Sequence, residues 1–554
     1  MKQTIFKLSI YALLLYALPL YATRYHVNIN SGDDAKDGLK WSTAFKNLQP
    51  ALDLIKDGDE IWIAAGVYHP TKKIAEVYGS SGHETRPTTD RHRSFMIKKN
   101  VKIYGGFSKT PSDATGLSSR NWRNNHTVLS GDFNNDDGYD FENMKENAFH
   151  VVILFDASPA MLLDGLYITG GCADDIANTY TGETEETLRV YYVSGKDGGG
   201  IYAYSPSKIS SPTLSDVSLY GNFAYAAGGG LFNFSYANDA SPRLENVSIV
   251  HNKALNRHGG GLYNNGGFSV YAELVNVNIV GNESTLSGGG MYFFGIVECS
   301  PVIINTVVNG NYADYGNGGG IYMSTFSHDC EPVIVNTTIC GNRVAKNPLK
   351  DGGGLVVYPL GLSRANIHNT VIWGNQGNML DNFFAEGDEG NANIITGSLI
   401  QGYNDSEPTN LPGNTNPKFL EPVSAAMAPT IDGDYQLTLE SPLIDKGLNA
   451  SISISNDLLG NPRINNGKVD IGAYESQGIP PVFNETFSEK AIWSDKGILY
   501  IRIHQPASIH VYNLGGALVK HEKALGEGMV AYPLPRGIYI VTLSNGIVEK
   551  VIIQ

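Results

Sequence analysis

Between Asp132 and Asp140 the chain reads Asp132-Phe-Asn134-Asn-Asp136-Asp137-Gly138-Tyr-Asp140, so side-chain oxygens recur at alternate positions. Hard oxygen donors at that spacing suit Ca2+, which gathers about six to eight of them. The candidate ligands are Asp132, Asn134, Asp136 and Asp140. An EF-hand loop would place Gly where Asp137 stands and Glu where Asn143 stands, so the alternative is a solvated acidic turn. Asp156 and Asp164 follow in the same irregular stretch, and a carboxylate pair beside a base is what glycosidic bond cleavage uses. His251, His258, His328 and His368 lack metal-ligand spacing and read as structural. No residue is assigned as catalytic.

A second candidate site is a column of rings. Tyr202, Phe232, Tyr263, Tyr292 and Tyr322 each follow an aliphatic residue, and strand alternation turns them outward if that residue points in. Stacked and exposed, they would form a platform for sugar faces or a protein surface; packed on one another, they would only stiffen a sheet. Cys299 and Cys330 stand six residues before equivalent asparagines, Asn305 and Asn336, and so stack in adjacent units within disulfide range, and a disulfide between them is expected. Cys172 and Cys340 have no evident partner.

These residues are positioned by a repeat. Gly-Gly-Gly plus an aliphatic residue begins at Gly198, Gly228, Gly259, Gly288, Gly318 and Gly352, in steps of 30, 31, 29, 30 and 34 residues. A unit of that length cannot bury an apolar face alone and must stack on its neighbours. Abundant glycine, β-branched residues and apolar spacings of two or three indicate short strands joined by bends. The fold class expected is all-β: a right-handed parallel β-helix. Two columns mark its bends. Asp216, Asn246, Asn276, Asn305, Asn336 and Asn369 are expected to form a structural asparagine ladder, and Asn222, Asn252, Asn282, Asn311, Asn342 and Asn375 lie at a second bend.

The repeats resemble the Gly-Gly-Ala-(Ile/Leu) and Phe-x-x-Asn repeats of the polymorphic outer-membrane proteins, within the pectate-lyase-like β-helix superfamily. Here Gly replaces Ala, and Leu, Ile or Val replaces Phe, as in Leu219-Tyr-Gly-Asn222. The pectinase signatures of that superfamily are not assembled: Asn305-Thr-Val, Asn336-Thr-Thr and Asn369-Thr-Val carry no Asp, and His258-Gly259 stands apart.

The remainder of the 554 residues reads as additions to the solenoid. Residues 1–22, with Lys2, Lys7 and the apolar Leu8 to Leu20 run, read as a secretory signal. The β-helix is expected over 23–477, as a cap (23–68), irregular coils (69–197), regular repeats (198–375) and closing coils (376–477). The cap carries an amphipathic helix from about Ala44 to Ile55, and Trp41 to Tyr68 resembles the N-terminal cap of secreted β-helix proteins. Ala173 to Thr187 reads as an acidic loop leaving the solenoid. Ser441 to Gly447, Asp457 to Arg463 and Val469 to Glu475 resemble the closing segment of exported bacterial β-helix proteins. Residues 478–484 read as a linker and 485–554 as a small β-sandwich.

Ile509 to Val519, Leu534 to Val541 and the terminal Lys550-Val-Ile-Ile look like the C-terminal sorting domain of type IX secretion cargo. That resemblance implies passage across the outer membrane through type IX machinery as a partner, and a place at the cell surface or outside the cell. A net charge of −15 argues against nucleic acid or an anionic membrane as partner. No transmembrane segment is expected in the mature chain, and a monomer is expected. The function expected is a non-catalytic, adhesin-like protein binding glycans or protein partners. The alternative is a polysaccharide lyase or glycoside hydrolase acting on an acidic polymer.

Overall fold

Each repeat unit supplies short strands that find their partners only in the next unit, so the chain winds into stacked coils. The computed structural model describes residues 22–478 and 492–553. Within that span it leaves out 75, 80–84, 87, 177, 183–190, 328, 347–351, 359–363, 378–381, 386–391, 453, 496–497, 504–506, 514–517, 526–527, 535–536 and 544–547. The expected signal segment up to residue 21, the expected linker beyond Gly478 and His328 therefore lie outside the described residues.

Among the described residues, four stacks of parallel strands run along the solenoid. They hold eleven strands (Arg24–Val27 to Ile394–Thr396), ten (Gly66–Tyr68 to Leu399–Ile400), nine (Phe95–Ile97 to Phe383–Ala385) and six (Cys172–Ala173 to Arg343–Val344). One coil visits each stack in turn, as with Leu231–Ser235, Arg243–Glu245, Ser248–Val250 and Lys253–Ala254. Register is column on column: Ile201 faces Leu231, Leu231 faces Leu262, Leu262 faces Met291 and Met291 faces Ile321. The aliphatic side chains of these columns point inward into one core that continues from Val27 to Ile400. The observed class is the expected one, a parallel β-helix with a helical cap and a C-terminal β-sandwich.

The glycine triplets are explained by crowding where the six-stranded stack turns into the nine-stranded one. Gly228 has φ +66°, a Cβ on Gly229 would lie 2.5 Å from the Lys253 carbonyl oxygen, and one on Gly230 would lie 2.7 Å from the Gly261 carbonyl oxygen.

The continuous, buried asparagine ladder forms at the second bend, and among the described residues the expected column pairs from coil to coil only from Asp216 to Asn305. Asn222, Asn252, Asn282, Asn311, Asn342 and Asn375 are all buried, and each amide joins the next coil. Asn252 Nδ2 donates to Asn282 Oδ1 (3.0 Å) and to the Leu219 carbonyl (3.0 Å), while Asn252 Oδ1 accepts from Asn222 N and Nδ2. The column Asp216, Asn246, Asn276, Asn305, Asn336 and Asn369 instead takes left-handed backbone, φ between 48° and 57°. Asn and Asp tolerate that conformation best among non-glycine residues, so their service there is to the turn. Side-chain pairing in this column is confined, among the described residues, to Asp216 with Asn246, Asn276 with Asn246 and Asn305 with Asn276.

The cap helix is shorter than expected, Leu48–Leu54. Asp34 Oδ1 accepts from the backbone N–H groups of Lys46 and Asn47 at 2.8 Å each, holding that stretch out of the helix. Ala44, Leu48, Leu52 and Ile55 are nevertheless buried. The acidic insert does not leave the solenoid as an isolated loop. Asn178–Gly182 pairs antiparallel with Tyr191–Ser194 and with Glu76–Gly79, forming with Thr85–Arg86 a small sheet.

The closing segment turns back along the flank of the last regular coils. Thr430 N donates to the Gly310 carbonyl (3.0 Å), Ala473 N to Thr338 Oγ1 (3.0 Å), and Leu448 N to Asn369 Oδ1 (2.6 Å). Strands Val307–Asn309 and Thr338–Cys340 are therefore buried on both faces, whereas Ser218–Tyr220, Ser248–Val250 and Asn278–Val280 keep alternate residues half exposed.

The C-terminal sandwich is made of two antiparallel sheets, Ile492–Asp495, Ile498–Ile503 and Gly528–Pro533 in one, and Leu518–Leu525, Ala507–Asn513, Gly537–Leu543 and Val548–Ile553 in the other. Leu499, Ile501, Ile509, Val511 and Val541 form its own core. Among the described residues no helix is long and apolar enough to cross a membrane.

Candidate functional site

The acidic loop closes on itself after strand Thr127–Ser130. Asp132, nearly buried, accepts from Asp136 N and Asp137 N at 3.2 Å each, which curls the loop into a tight turn. Asn147 donates from Nδ2 to both Asp137 carboxylate oxygens, at 3.0 and 2.8 Å. Oxygens of Asp132, Asp136, Asp137 and Glu146 all lie within 4.8 Å of one another. The turn Met144–Glu146 brings Glu146 in from a position that no alternate spacing would select. Asp140, one of the four expected ligands, is not in this cluster of acids; it has φ 59° and is exposed.

Burial, then repulsion from Asp132, pushes the Asp137 carboxyl up to about 8. Glu146 Oε1 and Asn147 Oδ1 are buried without a hydrogen-bond partner. A hard divalent cation held by Asp132, Asp136, Asp137 and Glu146, with Asn147 beside it, would relieve both the repulsion and the two orphaned oxygens. Asp156 and Asp164 stand elsewhere and are committed: Lys208 pairs with Asp156 at 3.3 Å and Arg120 with Asp164 at 2.6 Å.

The expected aromatic column does stack. Ring centroids are 5.1 Å apart for Tyr202 and Phe232, 5.0 Å for Phe232 and Tyr263, 5.2 Å for Tyr263 and Tyr292, and 5.4 Å for Tyr292 and Tyr322, all within 10° of parallel. Stacking of this kind spends the ring faces on each other, so they are not presented to a ligand. Tyr202 and Phe232 are moreover buried, under Ile74, Phe149 and Val193. The platform expected of these two residues is therefore absent. Tyr263, Tyr292 and Tyr322 remain half exposed. His258 packs on Tyr292 at 4.3 Å and accepts from Ser287 N; burial lowers it to about 4, which keeps it neutral.

One bend further on lies a column that the sequence reading missed. Tyr236, Phe268, Ile296 and Phe326 are 67%, 56%, 43% and 63% exposed. They belong to consecutive coils, since Gly267 N donates to Ser235 O, Ile296 N to Gly266 O and Phe326 N to Gly295 O. The spacing between coils is about 4.8 Å. Tyr271, also exposed, lies near the same edge and donates from its hydroxyl to Glu298 (2.8 Å). An apolar residue just after each strand of the nine-stranded stack was the signal available, masked because Phe268 sits one residue late in its coil.

Cys299 and Cys330 are buried thiols in side-chain contact in neighbouring coils. Burial, then Cys299, pushes the Cys330 thiol well above its ordinary range.

No family model and no curated protein matches this chain. Among solved structures it is similar to pectate lyase Pel9A, at 13% identity over 82% of this chain and 97% of that one, with a TM-score of 0.33. It is also similar to a GH136 lacto-N-biosidase from Eubacterium ramulus, at 11% identity over 71% of each chain, with a TM-score of 0.23. A third similarity is to XylC in complex with xylose, at 11% identity over 82% of this chain and 99% of that one, with a TM-score of 0.23. The fold is established by the chain's own strand ladders.

Proposed function

We propose that the chain is an exported, non-catalytic β-helix that binds a glycan or a protein partner along its side. The observation that carries this reading is the exposed column Tyr236, Phe268, Ile296 and Phe326, one apolar side chain per coil on a rigid ladder. An extended polymer laid along the axis would meet equivalent contacts at each coil, and a preorganised backbone ladder lowers the ordering entropy lost on binding. The signal segment and the sorting-domain resemblance support export.

The acidic cluster supports a second reading, a polysaccharide lyase or glycoside hydrolase. Asp137, protonated near neutrality beside three further carboxylates, has the mismatch in proton affinity that acid/base pairs use. A single experiment separates the two. The purified chain is incubated with acidic and neutral polysaccharides, and retention, unsaturated-product absorbance and reducing ends are followed together. Retention without cleavage, lost on Tyr236→Ser, Phe268→Ser and Phe326→Ser combined, is the expected result. Cleavage that disappears on Asp137→Asn would replace the binding reading with the enzyme.

A further inference from the structure

Two columns run side by side on the loops that leave the nine-stranded stack. The exposed apolar one is Tyr236, Phe268, Ile296 and Phe326. Asp239, Ser269, Glu298 and Asp329 form the other, because Ala240 N donates to the Ser269 carbonyl (3.0 Å), Ser269 faces Glu298, and Cys299 N donates to the Asp329 carbonyl (3.2 Å). Ala240, Val270, Cys299 and Cys330, the next residue in each coil, are buried, so alternation turns the three carboxylates outward. Asp239 and Glu298 are half-buried and Asp329 is exposed.

The partners of these carboxylates are neutral. Asp239 Oδ1 accepts from Ser269 N (3.1 Å), and Glu298 accepts from Tyr271 Oη (2.8 Å) and Ser300 Oγ (2.9 Å). Among the described residues no cation pairs with any of the three: Lys208, in the preceding loop, is taken by Asp156, and Arg243, in the strand that follows Asp239, by Glu245 and Glu273. The opposite flank of the apolar column is uncharged, with Phe234, Asn265, Phe294 and Ser324 in register along the stack. The face is thus an apolar row with acid along one edge only.

Charge and spacing select what it can hold. An acidic polymer, or a second copy of this chain at a net −15, would set like charge against the carboxylates, and a neutral sugar would leave them unused. Lysine or arginine on a partner would complement them. The apolar contacts recur about every 4.8 Å, one per coil, so the four span about 14 Å. The apolar stripe of an α-helix returns once per turn of about 5.4 Å and covers four contacts in about 16 Å, whereas same-side residues of a strand lie about 6.7 Å apart and need about 20 Å. A helix stays in step over the column, and a strand slips by more than a coil.

We infer that the column receives an amphipathic helix of a protein partner, its apolar stripe on Tyr236, Phe268, Ile296 and Phe326 and a row of Lys or Arg along one edge facing Asp239, Glu298 and Asp329. The inference rests on the binding reading above and narrows its partner.

The test titrates the purified chain into three labelled synthetic peptides of about 16 residues, roughly four helical turns, and reads fluorescence anisotropy. The first is helical, with Leu at i, i+4, i+7 and i+11 and Lys along one edge; the second carries Glu for Lys; the third alternates Leu and Lys as a strand. The lysine helix is expected to bind at least about tenfold tighter than either other peptide, and to weaken as NaCl rises from about 50 to about 300 mM. An Asp239→Asn, Glu298→Gln, Asp329→Asn variant keeps the acceptor oxygens and should bind the lysine helix about tenfold more weakly, with its circular dichroism melt unchanged. The triple serine variant of the apolar column should lose binding altogether. Equal or tighter binding of the glutamate helix or the strand peptide, or equal binding by the amide variant, would overturn the inference. Retention of a neutral polysaccharide without binding of the lysine helix would overturn it and leave the binding reading standing; failure of both ligands would overturn both.

Discussion

Asn246 and Asn252 lie six residues apart in one coil and serve different ends. Asn252 satisfies buried backbone groups above and below it, so Asn252→Ala takes the amide partner from the Leu219 carbonyl and from the Asn222 N–H, while Asn282 Oδ1 keeps the backbone N–H of residue 252. Each lost partner costs about 1–3 kcal/mol, so the loss should exceed ~2 kcal/mol in urea denaturation. Asn246 holds an αL turn at the surface. Asn246→Ala should cost about 1–2 kcal/mol, and Asn246→Gly close to nothing. A larger loss at Asn246 than at Asn252 would return the ladder to the first column. The acids give a second residue-scale expectation. Burial raises Asp137 and Glu475 to about 8 and Asp470 to about 6. The folded chain thus holds protons that the unfolded chain releases in the ordinary carboxylate range. The stability this confers is fully present below that range and is lost as pH rises through the folded values toward about 8. The melting temperature should therefore fall from pH 5.5 to pH 8.5. Added Ca2+ should restore part of it in the parent, because a cation favours ionised Asp137, and none of it in an Asp132→Asn, Asp136→Asn variant.

At the scale of the element, the stack from Tyr202 to Tyr322 is a stiffener, and its stability should be cooperative. Tyr263→Ala and Tyr292→Ala remove faces from the same pair, 5.2 Å apart. The double variant should lose less than the sum of the singles, with a coupling of about 0.5–1.5 kcal/mol from denaturant melts. Additive losses would mean that the rings contribute only buried area. The period of about 30 residues made the strands and inward columns legible, because register in a solenoid is repeated in every copy. Features that occur once were not legible that way. Glu146 joins the acidic cluster through a local turn, the insert's strands pair with Glu76–Gly79 across a hundred residues, and the closing segment's path follows from contacts such as Ala473 with Thr338. The two asparagine columns were visible but interchangeable, since αL tolerance and amide laddering draw on the same residue type. For Cys299 and Cys330, contact between buried thiols makes a disulfide accessible to an oxidising compartment. If the chain is exported as proposed, both should resist alkylation on unfolding until a reductant is added; alkylation on unfolding without reductant would show that the pair stays reduced.

Over the whole molecule, a solenoid opens where its coils are least braced, because each coil depends only on its neighbours. The brace is one-sided and local: the returning segment runs along the coils carrying Asn305, Asn336 and Asn369, reaches Gly281 in the coil of Asn276, and leaves the flank at Asp216 and Asn246 without it. Its anchor is Arg463, 1% exposed, which donates to the Gly472 carbonyl among Asp457, Asp470 and Glu475. Those acids in turn accept backbone N–H groups, Asp470 from Asp445 and Ser476 and Glu475 from Asn465 and Asp470. Amide exchange should therefore be slower in Val307–Asn309, Thr338–Cys340 and Val371–Trp373 than in Ser218–Tyr220 and Ser248–Val250, although all five belong to one stack. Arg463→Met removes the donor to the Gly472 carbonyl and the guanidinium that lies among Asp457, Asp470 and Glu475, and so should loosen the anchor. Exchange in the three braced strands should then accelerate toward that of the unbraced pair, while the C-terminal sandwich, with a core of its own, keeps its rate. Uniform acceleration along the whole solenoid would mean that the coils open as one unit and that the returning segment adds stability without placing it.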